Sequence, residues 1–301
     1  MLPTSHFFPQ VLPFICLAIS IITAFIKPKL SLYLLAGTLV VGFVFNAIDV
    51  VGLVIVIPLL SLSFYGQKLS SSSGEGDTHS NTRVKLYVSY CMVGLVVVGC
   101  LALATHLVPG FSNLQVLSGV SKNEQSIPFD LYLNFDKSLV VFILLLLIPS
   151  ILKDNNPISL FNVESSLTLA VLVILSFVFI FYLATTLSLI SYVPNVPNWW
   201  WLFALNNLLL TCVAEEVFFR GLVLNKLVKL TNPILGLVIT SSLFGLAHFS
   251  GGVGYIIVAM LAGLIYGVVY LKTGKLWAAI FIHFCLNMIH LFLFTYPLAK
   301  P

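Results

Sequence analysis

Long apolar runs separated by short polar breaks fill the chain, and only in its last third do charged residues enter the runs themselves. A hydropathy window of roughly 19 residues picks out about ten apolar stretches, near 8–26, 30–47, 50–65, 86–106, 138–152, 166–191, 199–223, 233–249, 253–271 and 276–296. Their length predicts membrane-crossing helices, because a hydrocarbon core of about 30 Å takes about 20 helical residues. Stretches 50–65 and 138–152 are short for a full span and are expected to be tilted, re-entrant or half-buried. Residues 66–85, with Ser70-Ser71-Ser72-Ser73-Gly74, read as a polar, flexible segment. Residues 107–137, interrupted by Pro109, Gly110 and Pro128, read as a long loop. The first stretch lacks a basic n-region and a small-residue cleavage site, so it is expected to remain as a span.

Charge placement orients these helices. If all ten stretches cross, ten of the 14 Lys and Arg residues, from Lys27 to Lys275, share one set of loops. Lys122, Lys137 and Lys300 lie on the other side, and Arg220 lies inside a helix. The positive-inside rule then puts the basic loops in the cytoplasm and both termini outside. The expected location is a plasma membrane, in a bacterium the inner one, with the lipid bilayer as the first partner.

Composition narrows the class. Only 8% of residues are charged and 59% are hydrophobic, against about 25% charged in globular domains. The fold class is therefore all-α, a polytopic transmembrane helical bundle. No basic stripe interleaved with aromatics or zinc-finger spacing points to nucleic acid. The five cysteines lie in apolar runs without a CxxC pair and read as small hydrophobes. Gly263 and Gly267 form a GxxxG pair, read as internal helix packing. Nothing in the sequence fixes an oligomeric state.

The candidate chemistry lies in three apolar stretches. Ala214-Glu215-Glu216-Val217-Phe218-Phe219-Arg220-Gly221 follows the run from Trp199 to Val213. A charge at the centre of a membrane helix costs roughly 2.5–3.5 kcal/mol on insertion scales, so such residues call for a function. Glu216 and Arg220 are four apart and share a face, whereas Glu215 is rotated from Glu216 by about 100°. The pair accounts for one carboxylate and leaves the other for chemistry. Phe244 and His248 are one turn apart in the next apolar stretch, and His283 and Asn287 in the last.

Singly, each has an ordinary explanation: histidine bonded to backbone, asparagine as interhelical glue, a Glu–Arg pair locking helices. Jointly they suit water activation and amide hydrolysis, with a desolvated glutamate as general base and His and Asn as donors to an oxyanion. HExxH, Gly-x-Ser-x-Gly and an intramembrane aspartate pair are absent from the sequence. The depth of His248 is ambiguous. Counted from Pro233 at the inner face it comes out nearer the outer side than Glu215 and His283, unless the eighth helix starts outside the bilayer or the Ser250–Gly254 turn is recessed.

Taken in order, Glu215-Glu216-x-x-x-Arg220, Phe244-x-x-x-His248 and His283-x-x-x-Asn287 resemble the CPBP family, the type II CAAX prenyl endopeptidase-like or abortive-infection proteins. Phe219-Arg220-Gly221 and Gly274-Lys275-Leu276-Trp277 fit as well. The resemblance covers about residues 196–292. It implies a CPBP-type core in residues 161–301, with residues 1–160 an N-terminal transmembrane region outside it. It further implies Glu215 activating water beside His248, with His283 and Asn287 lining the cavity and Asn287 in the oxyanion hole. Glu216 and Arg220 would be positioning residues. A metal-free, glutamate-based mechanism is favoured; if zinc is used, Glu215, His248 and His283 would hold it. The implied partner is a membrane-anchored peptide or protein substrate, prenylated CAAX tails being one option. The alternative from another class is a non-catalytic scaffold or transporter-like protein using the same polar cluster for proton relay or packing. A transporter is expected to show inverted repeats in both halves, whereas the cluster here is confined to one.

Overall fold

Ten helices account for the ten apolar stretches in the computed structural model, which describes residues 4–72, 79–158 and 165–301. They are α1 (Thr4–Ile26), α2 (Pro28–Val44), α3 (Val50–Ser72), α4 (His79–Ala104), α5 (Phe135–Leu147), α6 (Ser166–Thr186), α7 (Trp200–Leu230), α8 (Pro233–Leu246), α9 (Gly252–Thr273) and α10 (Leu276–Leu293). Seven of the described helices are long and apolar enough to cross a membrane, and α2 and α8 are shorter apolar helices. The protein is a polytopic helical bundle.

Two expectations are corrected. The segment 66–85 is largely helical: α3 continues to Ser72 and α4 begins at His79, while Ser73 and Gly74 lie outside the described residues. The loop 107–137 contains a two-stranded sheet, β1 (Leu114–Val120) and β2 (Phe129–Leu133), in which the Gly119 N–H donates to Asp130 Oδ1 at 2.7 Å.

The chain divides into two compact units, one of residues 1–115, 132–152 and 209–214, the other of 116–131, 153–208 and 215–301. The expected boundary at 160/161 lies outside the described residues. In the first unit α5 is the core. Its sequence Phe135–Leu147 is apolar nearly all round, and almost every residue is buried, as such a helix must be. Thirteen residues rise only about 20 Å, too little to cross alone, which explains the shortness read from sequence. Its start is tied down by polar contacts. Asn113 Oδ1 accepts from the Phe135 N–H, and His106 Nδ1 donates to the buried Asp136 carboxylate at 2.8 Å. His106, which sequence gives no reason to single out, thus has a defined partner.

In the second unit α8 and α9 pack through small residues. A Cβ on Gly245 would meet the Ile256 carbonyl at 2.7 Å, one on Gly263 would meet Phe244 at 3.2 Å, and one on Gly267 would strike Leu237. The GxxxG pair therefore serves packing within the chain. Asn232 caps α8 by accepting from the Leu235 N–H, with Pro233 in the first turn. Gly274 ends α9 in the left-handed region at φ 69°, where the Asn155 backbone fills the space of any side chain. Fourteen residues of α8 rise about 21 Å, less than the hydrocarbon thickness. If α8 starts at the inner face, the Ala247–Gly251 turn stays recessed, and His248 sits at depth.

Between the strands, Lys122 is only 5% exposed and donates to the carbonyls of Val193 (2.8 Å) and Phe294 (2.5 Å). Burial lowers its ammonium from 10.5 to about 8, and the neutral amine keeps two donors for two carbonyls. Between those pH values the unfolded chain binds more protons than the folded one, so stability contributed by this site rises with pH. Lys122→Met removes that dependence. The thermal midpoint of the wild type in detergent, compared with K122M, is expected to rise from about pH 8 to 10; a difference flat in pH would contradict the buried ammonium.

Candidate active site

The glutamates stand on a short α-helical piece of α7, Val213–Glu216, between two π-helical segments, Asn207–Cys212 and Val217–Leu224. A π segment re-aims the side chains that follow it and recurs at functional sites. Sequence periodicity gives no sign of it.

The Glu216–Arg220 pair forms and is fully buried. Arg220 Nη1 donates to Glu216 Oε1 at 2.7 Å and Nη2 to the Gly263 carbonyl at 2.8 Å. The guanidinium lies over the rings of Phe244 (4.8 Å) and Tyr266 (5.2 Å), contacts that favour a desolvated cation. A third segment joins through His283 on α10. Its Nδ1 donates to the same Glu216 oxygen at 2.8 Å, and its ring stacks on Tyr266 with centroids 4.5 Å apart and planes at 16°.

With Nδ1 committed, His283 turns Nε2 towards Glu215, 3.9 Å from its Oε2. That gap is too long for a direct hydrogen bond and short enough for one water to touch both atoms. His248 follows the C-terminus of α8, where its Nδ1 donates to the Phe244 carbonyl at 2.8 Å. Its ring is 4.8 Å from Phe244, which in turn meets His283 edge-on at 5.7 Å. Asn287, one turn beyond His283, donates from Nδ2 to Asn207 Oδ1 at 3.2 Å.

His248 and Asn287 share the wall of a cavity of about 70 Å³ with Phe244, Tyr255, Tyr266 and His290. At about 30 Å³ per water it holds two. Among the described residues Glu215 does not form this wall. It approaches His283 and is within electrostatic reach of Tyr255, which does line it.

The arrangement therefore brings Glu215, Glu216, Arg220 and His283 into one cluster and His248 and Asn287 to one adjoining cavity. Among the described residues no three His, Cys, Asp or Glu side chains are grouped to hold a metal ion, so Glu215, His248 and His283 are not gathered as a zinc set. Sequence reasoning missed Tyr255, Tyr266, Asn207 and His290. Two signals were available: Asn206-Asn207 is a polar pair inside an apolar stretch, and His290 lies seven after His283 on nearly the same face. Tyr255 and Tyr266 carry no such mark.

Removing one partner of a buried ion pair leaves an uncompensated charge and costs about 3–5 kcal/mol. Arg220→Met is expected to lower unfolding stability in detergent by that order. The double change Arg220→Met with Glu216→Gln recovers part of the loss, and equal stability of R220M and wild type would remove the pair from its structural role.

Residues 197–289 match the family model described as Type II CAAX prenyl endopeptidase Rce1-like. No curated protein and no solved structure matches the chain. The match and the apolar helices describe an integral membrane protein with a CAAX-protease-like core. Over residues 197–289 the chain is similar to the family described as Type II CAAX prenyl endopeptidase Rce1-like.

Proposed function

We propose that the protein is an intramembrane endopeptidase that hydrolyses a peptide bond of a membrane-associated peptide or protein with a water activated by Glu215. The observation that carries this reading is the 3.9 Å gap between Glu215 Oε2 and His283 Nε2, with the far side of His283 pinned to the buried Glu216–Arg220 pair. A water bridging the two atoms from the side gives a proton to the Glu215 carboxylate as its oxygen attacks the scissile carbonyl carbon. The carbonyl π pair moves onto oxygen. On collapse the C–N bond breaks, the proton on Glu215 passes to the departing nitrogen, and a carboxylic acid and an amine result, the acid then giving its proton to the amine or to solvent. His248 and Asn287 line the adjoining cavity, where they orient water and the substrate carbonyl. Glu216 and Arg220 act through His283 as positioning residues.

Zinc ligands would have to converge on one point at about 2.0–2.2 Å, and Glu215, His248 and His283 are not so grouped. We infer that Glu215 activates the water without a metal. The basic loops are assigned to the cytoplasmic face of a plasma membrane by the positive-inside rule.

Glu215→Gln keeps shape and removes the base. Wild-type and E215Q proteins, purified in nanodiscs, would be compared on a farnesylated CAAX peptide and by mass-spectrometric profiling of new C-termini in membranes from expressing cells. The expected result is cleavage by the wild type and a loss of at least about 10²-fold in E215Q at equal thermal stability. Cleavage at the wild-type rate by E215Q would overturn the reading. Dialysis of the active protein against a chelator is expected to leave the rate unchanged, with no metal in stoichiometric amount by elemental analysis. Loss of rate restored by zinc would overturn the metal-free step.

A further inference from the structure

We propose that Tyr255 is a further catalytic residue of this site, its phenol O–H donating a hydrogen bond to the carbonyl oxygen of the bond being cleaved. This rests on the protease reading above and follows from the polarity of the groups around the cavity.

Hydrolysis needs donors aimed at an oxygen that gains negative charge, and each is worth far more in a dry site than in water. The histidines here present the opposite. A carbonyl or carboxylate oxygen only accepts, so a ring nitrogen bonded to one carries the proton. His248 commits Nδ1–H to the Phe244 carbonyl, His283 commits Nδ1–H to Glu216, and His290 commits Nε2–H to the Thr295 carbonyl. In the neutral ring the second nitrogen is then an acceptor. A ring in that state suits holding a water. Asn287 spends one N–H on Asn207. Tyr255 supplies another donor: it lines the cavity beside His248, with ring centroids 5.9 Å apart, and among the described residues its hydroxyl makes no hydrogen bond.

The chain makes room for this ring. Tyr255 is in the first turn of α9, and it lies over Gly251, where a Cβ would stand 2.5 Å from Tyr255 Cγ. Gly251 has an ordinary φ of −82°, so its backbone does not require glycine and the ring does. Glu215 is within electrostatic reach of the hydroxyl, which places the donor near the base that would deliver the attacking water. The hydroxyl keeps its proton throughout; the oxygen it serves gains charge as the water adds and loses it as the C–N bond breaks.

Tyr255→Phe removes one oxygen and leaves the ring. In nanodiscs with the farnesylated CAAX peptide, Y255F is expected to lower kcat by about 10²–10³-fold, the usual loss for one oxyanion donor, with KM little changed and an unaltered thermal midpoint. E215Q, measured alongside, separates the two ideas. Cleavage by the wild type, loss in E215Q and a wild-type kcat in Y255F would overturn the role of Tyr255 alone, as would a Y255F effect confined to KM. Absence of cleavage by the wild type, or its persistence in E215Q, would overturn the protease reading and this inference with it.

Discussion

A fully buried arginine in an apolar helix needs a countercharge and acceptors close by, and meeting the charge of Arg220 through its two Nη groups, with Nε left without a hydrogen-bond partner, organises the second unit. Glu216 on the same helix supplies the countercharge, the Gly263 carbonyl of α9 an acceptor, and Phe244 and Tyr266 two aromatic faces. Three helices are thereby held to one guanidinium. The remaining share of Glu216 Oε1 goes to His283 of α10, so the same pair that resolves the cost of a buried cation also sets a ring orientation. Stability and geometry cannot be varied separately here, because loss of either charge exposes the other to a medium of low dielectric.

The glycines of α8 and α9 have a matching task. The Gly263 carbonyl is reached by Arg220, while its missing side chain admits Phe244. Phe244 in turn offers its carbonyl to His248 and its ring to Arg220 and His283. A larger residue at 263 would push Phe244 away from both. The shortness of α8 completes this: by ending at Leu246 it lets His248 turn back so that its ring meets Phe244 and its Nδ1 the Phe244 carbonyl.

How much of this can be read from the residues differs from place to place. Ten helices were legible because the apolar runs are set off by polar breaks, and the Glu216–Arg220 pairing followed from four-residue spacing on one face. Counting along an ideal helix leaves the depth of His248 open, and the turn that follows α8 at Leu246 is not legible in an apolar run. The two strands within 107–137 are short, and their Pro and Gly neighbours masked them. The π segments flanking the glutamates leave no trace in hydrophobic periodicity, which is blurred when nearly every residue is apolar. Tyr255 and Tyr266 were invisible for a related reason: a tyrosine in a membrane helix is unremarkable until one knows which ring or hydroxyl lies beside it.

The charges at the centre of the site also suggest why two adjacent glutamates are used. With both carboxylates ionised and His283 neutral, Glu215, Glu216 and Arg220 carry two negative charges and one positive. In the proposed step, the proton taken from an attacking water would bring the sum over these three side chains to zero as the negative charge passes to the substrate oxygen. Had Glu215 alone been present beside Arg220, the carboxylate would be neutralised at the outset and would lose charge balance on accepting a proton. Glu216 occupies the arginine, so that in the proposed step a proton on Glu215 would leave the structural pair in place. The ring of His283, held by one glutamate and turned to the other, is the link through which the fixed charge positions the reactive one.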